Sequence, residues 1–196
     1  MKFILIMKVS NLKTNKGLIF KNIKIIEPKI HKDHRGFFYE SWNKKNFNEN
    51  ILEIEFLQEN HSYSLENVLR GLHFQTKPYS QGKLVECITG EIYDVVVDIR
   101  KESETFLQWG FVKLSERNNK QIWINSGFAH GFYTLSNTAH VIYKVDNSYN
   151  KDSEKTIIWD DPQLSIKWPN NLKKPIISEK DLKGHSVNEL TQMGFI

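Results

Sequence analysis

Apolar and polar residues alternate most regularly near the middle of the chain. From Ile92 to Ile99, Tyr93, Val95, Val97 and Ile99 fall on one side, and Ile92, Asp94, Val96 and Asp98 on the other. A period of two predicts a strand with two unlike faces. Leu84 to Ile88 precedes it across Thr89-Gly90, so the pair predicts a hairpin with glycine at the bend. Similar short runs predict strands at Ile19 to Ile26, Phe37 to Trp42, Glu55 to Ser64, Gln108 to Leu114, Lys120 to Ile124 and Ala139 to Val145. Pro28 with the charged HKDHRG reads as a loop, Asn43 to Asn50 as one helical turn, and Asn125 to Phe132 as a glycine bend. Only Ser178 to Ile196 looks able to hold true helices. Many short strands with turn signals between them predict an all-β sandwich or barrel.

Composition narrows this. Across 196 residues, 39% hydrophobic and 12% aromatic side chains suffice for a packed core, and neither repeats nor a linker divide the chain. One domain over 1–196 is expected, with 1–18 an extension or edge strand and 170–196 folding back on the barrel. A net charge of +4 suits an anionic small ligand, and without a basic helix or Cys/His finger spacing nucleic acid is not the expected partner. The lone Cys87 cannot form an internal disulfide, and the apolar run Phe3 to Met7 is too short to span a bilayer. A cytoplasmic protein with no membrane partner is the expectation.

Candidate chemistry clusters around His73, with Arg70 before it and Gln75 and Lys83 after it. Most lone histidines are structural, so the neighbours carry the argument. In cupin barrels (double-stranded β-helices) a metal site resembles G-x5-H-x-H with a later P-x-G-x2-H. Here Asn125 to His130 resembles the second segment, but the first reads His73-Phe74-Gln75 and lacks its second histidine. A divalent site needs three or four good donors, so the missing ligand argues against a metal. Tyr143 lies on a predicted strand, where packing or general-acid roles are both open. Asp181 would ordinarily be a helix-start residue, unless the C-terminal segment brings it to His73. His31, His34, His61, His140 and His185 read as structural or surface residues.

Taken in order, several segments resemble the dTDP-4-dehydrorhamnose 3,5-epimerase family. They are Asp33 to Glu40 (DHRGFFYE), Gln58 to Ser62 (QENHS), Asn67 to Gln75 (NVLRGLHFQ), Gln81 to Val85 (QGKLV) and Asp94 to Arg100 (DVVVDIR). Gly127 to Phe132 (GFAHGF), Tyr143-Lys144 and Ser178 to Asp181 (SEKD) complete the set. Departures are Asn125 for a usual proline, Glu104 in the loop before Phe106, and Leu107 where glycine is common. The resemblance implies a cupin-type jelly roll with a few short helices, a homodimer, a nucleotide-sugar substrate, and neither metal nor other cofactor. It implies that His73 is the base, Asp181 its partner, Tyr143 the acid on the opposite sugar face, and Lys83 a group near the ketone oxygen. Arg35, Arg70 and Lys180 would contact substrate, Glu40, Gln58, Glu59, Asn60, His130 and Glu154 would line its pocket, and Tyr149 would stack on thymine.

The implied chemistry asks for such groups. With a ketone at C4, the C3 and C5 protons are both α to a carbonyl. Removing either forms an enolate whose oxygen needs a donor or cation. Inversion needs a second proton source on the other face, and an aspartate that holds the imidazole tautomer assists the base. The expected reaction is conversion of a dTDP-4-keto-6-deoxy sugar at both carbons. A C3-only or GDP-linked epimerase, a cupin keto-isomerase and a silent sugar-binding cupin are the rival readings.

Overall fold

The computed structural model describes residues 7–169 and 174–196. The early strands are β1 (Met7–Lys13), β2 (Ile19–Pro28), β3 (His31–Asp33), β4 (Gly36–Phe38), β5 (Gln58–Leu65), β6 (Leu69–Gln75) and β7 (Lys83–Thr89). They continue with β8 (Glu91–Asp98), β9 (Trp109–Ser115), β10 (Gln121–Ile124), β11 (Phe128–Thr134), β12 (Thr138–Val145) and β13 (Glu154–Thr156). The helices are α1 (Lys44–Asn50), α2 (Glu179–Leu182) and α3 (Val187–Gln192). One sheet runs β1-β2-β10-β7-β12-β5, the other β13-β6-β11-β8-β9, and β3 pairs with β4 apart from both. This is the expected all-β, cupin-type jelly roll with short peripheral helices. The edge-strand reading of the N-terminal region holds for β1, which pairs antiparallel with β2. Residues 1–6 and 170–173 lie outside the described residues.

Alternation decides which side chains meet. Phe20, Ile23, Val85, Val96, Ile122 and Phe132 fill the space between the two sheets. The predicted hairpin β7–β8 forms, with its bend at Gly90, and the predicted alternation along β8 is real. However, β8 is buried on both faces. Its Tyr93, Val95 and Val97 row packs under Leu164, Trp168, Val187, Leu190 and Ile196 of the C-terminal segment. Its Asp94 and Asp98 lie on the face turned between the sheets, and Asp98 is satisfied there by Arg100, Ser103 and Thr105.

Three local expectations need correction. Asn125 to Phe132 is not one bend: the chain turns at Ser126-Gly127, and Phe128–Thr134 is a wholly buried central strand. The loop HKDHRG contains the strand β3 and the first residue of β4, Gly36, and only Phe37 and Phe38 of the predicted Phe37 to Trp42 strand pair, both of them exposed. Asn43 to Asn50 is helical as expected, but it forms the seven-residue helix α1 rather than one turn, so true helices are not confined to Ser178 to Ile196. Asn43 caps it, and Phe47 packs among Trp42, Phe56 and Trp123, which repays the ordering of a seven-residue helix.

Leu107 and Gly71 both adopt the conformation that favours glycine. Leu107 adopts φ +57°, the left-handed region, which accounts for glycine being common there; its side chain packs against the outer apolar cluster. Gly71 has φ +105°, and a Cβ there would lie 2.6 Å from both the Gly131 Cα and the His130 carbonyl oxygen. Thus β6 and β11 approach as only glycines allow. Gly71→Ala is expected to cost at least about 2 kcal/mol, read as a lowered urea midpoint at unchanged m.

Candidate active site

At one end of the barrel, β5, β6, β7, β12 and β13 surround a cavity of about 450 Å3. It is lined by Gln58, Asn60, His73, Phe74, Gln75, Gln81, Lys83, Tyr143, Tyr149 and Glu154. Strand register places several of these. Asn60 lies directly opposite Tyr143, and Tyr143 opposite Val85; Lys83 is two residues from Val85 and shares its face.

Behind His73 stands Asp181 of α2, brought back by the C-terminal segment, with Oδ1 2.6 Å from His73 Nε2. The Gly71 N–H donates to the other carboxylate oxygen at 3.2 Å. Burial pushes the Asp181 pKa up, but the His73 hydrogen bond and charge, the Gly71 N–H and Lys180 outweigh it. They hold it below the ordinary carboxylate range, so Asp181 stays ionised. Because Nε2 is engaged, Nδ1 of His73 is the nitrogen left to accept a proton.

Across the cavity, burial raises the Tyr143 pKa, which the Arg70 charge only partly opposes, so the phenol keeps its proton at neutral pH. Burial pulls Lys83 down to about 8, against the pull of the Glu154 and Asp94 charges. Glu154 accepts hydrogen bonds from Lys180 (2.6 Å) and from the Tyr149 hydroxyl (2.9 Å). These outweigh its burial and keep it ionised. Adjacent residues of α2 therefore hold His73 and Glu154 at once.

Seven of the residues expected from sequence line this cavity: His73, Tyr143, Lys83, Gln58, Asn60, Tyr149 and Glu154. Asp181 and Lys180 stand behind them. Of the others, Glu59, Arg35 and Glu40 are not brought to it, whereas Arg70 and His130 stand beside its residues. Glu59, one residue from Asn60, points to the opposite sheet face and pairs with Lys144. Arg70 is tied to Ser64 Oγ and the Tyr63 carbonyl, both at 3.0 Å. His130 is buried directly opposite His73 across the β6–β11 pair, with Nε2 2.8 Å from Asp94. Arg35 forks onto Asp33 in the exposed β3–β4 hairpin, and Glu40 accepts from Asn43 and Asn46 at the start of α1.

Sequence reasoning assigned no role to Gln75 and Gln81. Gln75 Nε2 donates to the carbonyls of Tyr79 (2.6 Å) and Ser148 (3.1 Å), and its Oε1 accepts from the Asn150 N–H (2.7 Å). Gln81 Nε2 donates to the Asn147 carbonyl at 2.7 Å. The two loops at the cavity mouth are thus joined side by side. The signal was the glutamine at the last position of His73-Phe74-Gln75, where the metal-cupin motif H-x-H carries its second histidine.

The sequence model described as dTDP-4-dehydrorhamnose 3,5-epimerase matches residues 18–189. The dTDP-4-dehydrorhamnose 3,5-epimerase of Shigella flexneri is 51% identical over 164 residues, 83% of this chain and 90% of the relative. The crystal structure of dTDP-6-deoxy-D-glucose-3,5-epimerase from Legionella pneumophila, in complex with dTDP-4-keto-L-rhamnose, superposes with a TM-score of 0.83 at 46% identity, covering 92% of this chain and 94% of that one. That of the Bacillus anthracis dTDP-4-dehydrorhamnose 3,5-epimerase, with TDP and pyrophosphate bound, gives 0.85 at 42% identity, covering 92% and 100%. On these matches, the chain belongs to the dTDP-4-dehydrorhamnose 3,5-epimerase family.

Proposed function

We propose that this protein is an isomerase that inverts C3 and C5 of dTDP-4-keto-6-deoxyglucose, yielding dTDP-4-keto-L-rhamnose. The observation that carries the reading is the His73–Asp181 contact on one wall of a cavity whose facing wall presents a protonated Tyr143. His73 Nδ1 takes the proton α to the ketone, and Asp181 stabilises the imidazolium. The electrons move to the C4 oxygen, and the Lys83 ammonium stabilises the enolate. Tyr143 then protonates the same carbon from the opposite face, which inverts it. Each cycle removes and returns one proton, so the reaction needs neither redox cofactor nor metal.

Gln58, Asn60, Tyr149 and Glu154 line the sugar and nucleotide path in this reading, with Arg70 and Lys180 near the diphosphate. The chain acts as one domain in a cytoplasmic homodimer. Arg35 and Glu40, which stand outside the chain's own cavity, are then available to a second copy.

Proton NMR of dTDP-4-keto-6-deoxyglucose in heavy water tests the reaction. Loss of both the H3 and H5 signals, with product formed, is the expected result. Exchange at C3 alone would demonstrate a mono-epimerase, and no exchange would overturn the reading. Tyr143→Phe is expected to keep solvent exchange at the carbon His73 deprotonates while product formation falls roughly 10²-fold or more. Equal loss of exchange and product would remove Tyr143 from the acid role.

A further inference from the structure

The β3–β4 hairpin belongs to neither sheet. Its strands are three residues each, and Phe37 and Phe38 are 59% and 71% exposed. A two-stranded pair this short is marginal in water and cannot fix its own direction. The residue that follows fixes it. The Tyr39 ring stacks on Phe37, with centroids 5.9 Å apart and planes at 23°. Its hydroxyl donates to Glu86 Oε1. Glu86 Oε2 accepts from Gln121 Nε2 at 2.8 Å, and the same amide nitrogen donates to the Ser41 carbonyl at 2.8 Å. Glu86 and Gln121 are both buried and lie directly opposite each other on β7 and β10. They share the sheet face of Leu84 and Trp123, which Phe47 of α1 covers. Burial and the Glu86 carboxylate raise the Tyr39 pKa, so the phenol stays a donor. The epimerase chemistry makes no use of these three groups.

We propose that Tyr39, Glu86 and Gln121 form a latch that holds the β3–β4 hairpin out as a rigid arm, and that the arm presents Arg35 to substrate in the cavity of a second copy. This rests on the homodimer reading above, under which Arg35, outside its own chain's cavity, serves the other copy's. A buried carboxylate is costly unless each oxygen is bound. Here each oxygen has one donor, and the two donors come from the two sides of the joint: Gln121 from the barrel and Tyr39 from the arm. Gln121 also grips the chain at Ser41, so the segment between hairpin and α1 is tied at two points. Tyr39→Phe leaves one buried oxygen without its donor and frees the arm. Glu86→Gln can accept from one of the two donors but turns an N–H toward the other. A freed hairpin samples directions in which Arg35 misses the cavity, and apparent affinity falls by the fraction of time the arm is in place. Tyr39, Glu86 and Gln121 are thus positioning residues that act through Arg35.

Steady-state kinetics of the full chain with dTDP-4-keto-6-deoxyglucose test this. Tyr39→Phe and Glu86→Gln should each raise KM roughly fivefold while kcat stays within about twofold of wild type. Because they break one latch, the double variant should raise KM no further than the larger single change. Mixed dimers of one Tyr39→Phe chain and one His73→Ala chain, isolated through two different tags, should return to the wild-type KM, because the surviving base is served by the intact arm of the other chain. An unchanged KM in Tyr39→Phe and Glu86→Gln, or a KM that stays raised in the mixed dimer, would overturn the proposal. Arg35→Ala, with light scattering of the wild-type chain, separates the two layers. A monomer, or an unchanged KM in Arg35→Ala, would end the role given to Arg35 and the latch with it. A raised KM in Arg35→Ala beside a normal one in Tyr39→Phe would end the latch alone.

Discussion

His73→Ala is expected to slow exchange of the C3 and C5 protons roughly 10³-fold, while the affinity for dTDP stays within about twofold of wild type. The size follows from removing a positioned base, an effect of about 10²–10⁴. The separation of rate from binding follows from the cavity, where His73 is one wall residue and the nucleotide would rest on others. Asp181→Asn keeps the shape but removes the charge that stabilises the imidazolium, so kcat should fall by a comparable order with KM little changed. Heavy-water NMR of each variant, with calorimetric titration of dTDP, measures both quantities. Near-normal exchange in His73→Ala would end the base assignment.

Lys83→Met is expected to lower kcat roughly 10²–10³-fold, the size of one lost contact to a developing oxyanion. Lys83 also predicts a pH dependence. Burial brings its pKa down to about 8. The ammonium is present below that pH and lost above it, so the rate should fall as pH rises through about 8. Burial pushes Tyr143 the other way, above the ordinary phenol range, so the limb near 8 belongs to the lysine. The kcat–pH profile of Lys83→Met should lack it, and a limb that survives in the variant would assign the titration to another group.

Much of the barrel was legible because alternation is local. The β7–β8 hairpin follows from the period of two and Gly90, and β10 and β12 appear within a residue of their predicted starts. Where the reading failed, distant contacts decided. Gly127 and Gly131 look alike in sequence, but only Gly127 turns the chain. Gly131 lies inside a strand because its missing Cβ lets β11 pack against Gly71. The α1 helix was read as only one helical turn because Phe47 finds its aromatic neighbours only in the folded chain. Alternation would also have separated Asn60 from Glu59, one facing the cavity and the other Lys144.

By itself the sequence determined the all-β class, most strand positions, and the residue types that the chemistry needs. Those features depend on neighbours two to five residues apart and on motifs in order. Only the tertiary structure decided that Asp181 meets His73 across 108 residues of chain, that Glu154 is held jointly by Lys180 and Tyr149, and that Arg35 and Glu40 stay outside the cavity. Nor could periodicity show that the apolar face of β8 is covered, because the cover comes from Leu164 onward. The physical reason is the same in each case. Local pattern sets which face a side chain takes, but what stands opposite that face depends on how distant segments fold back, and their order along the chain does not encode it locally.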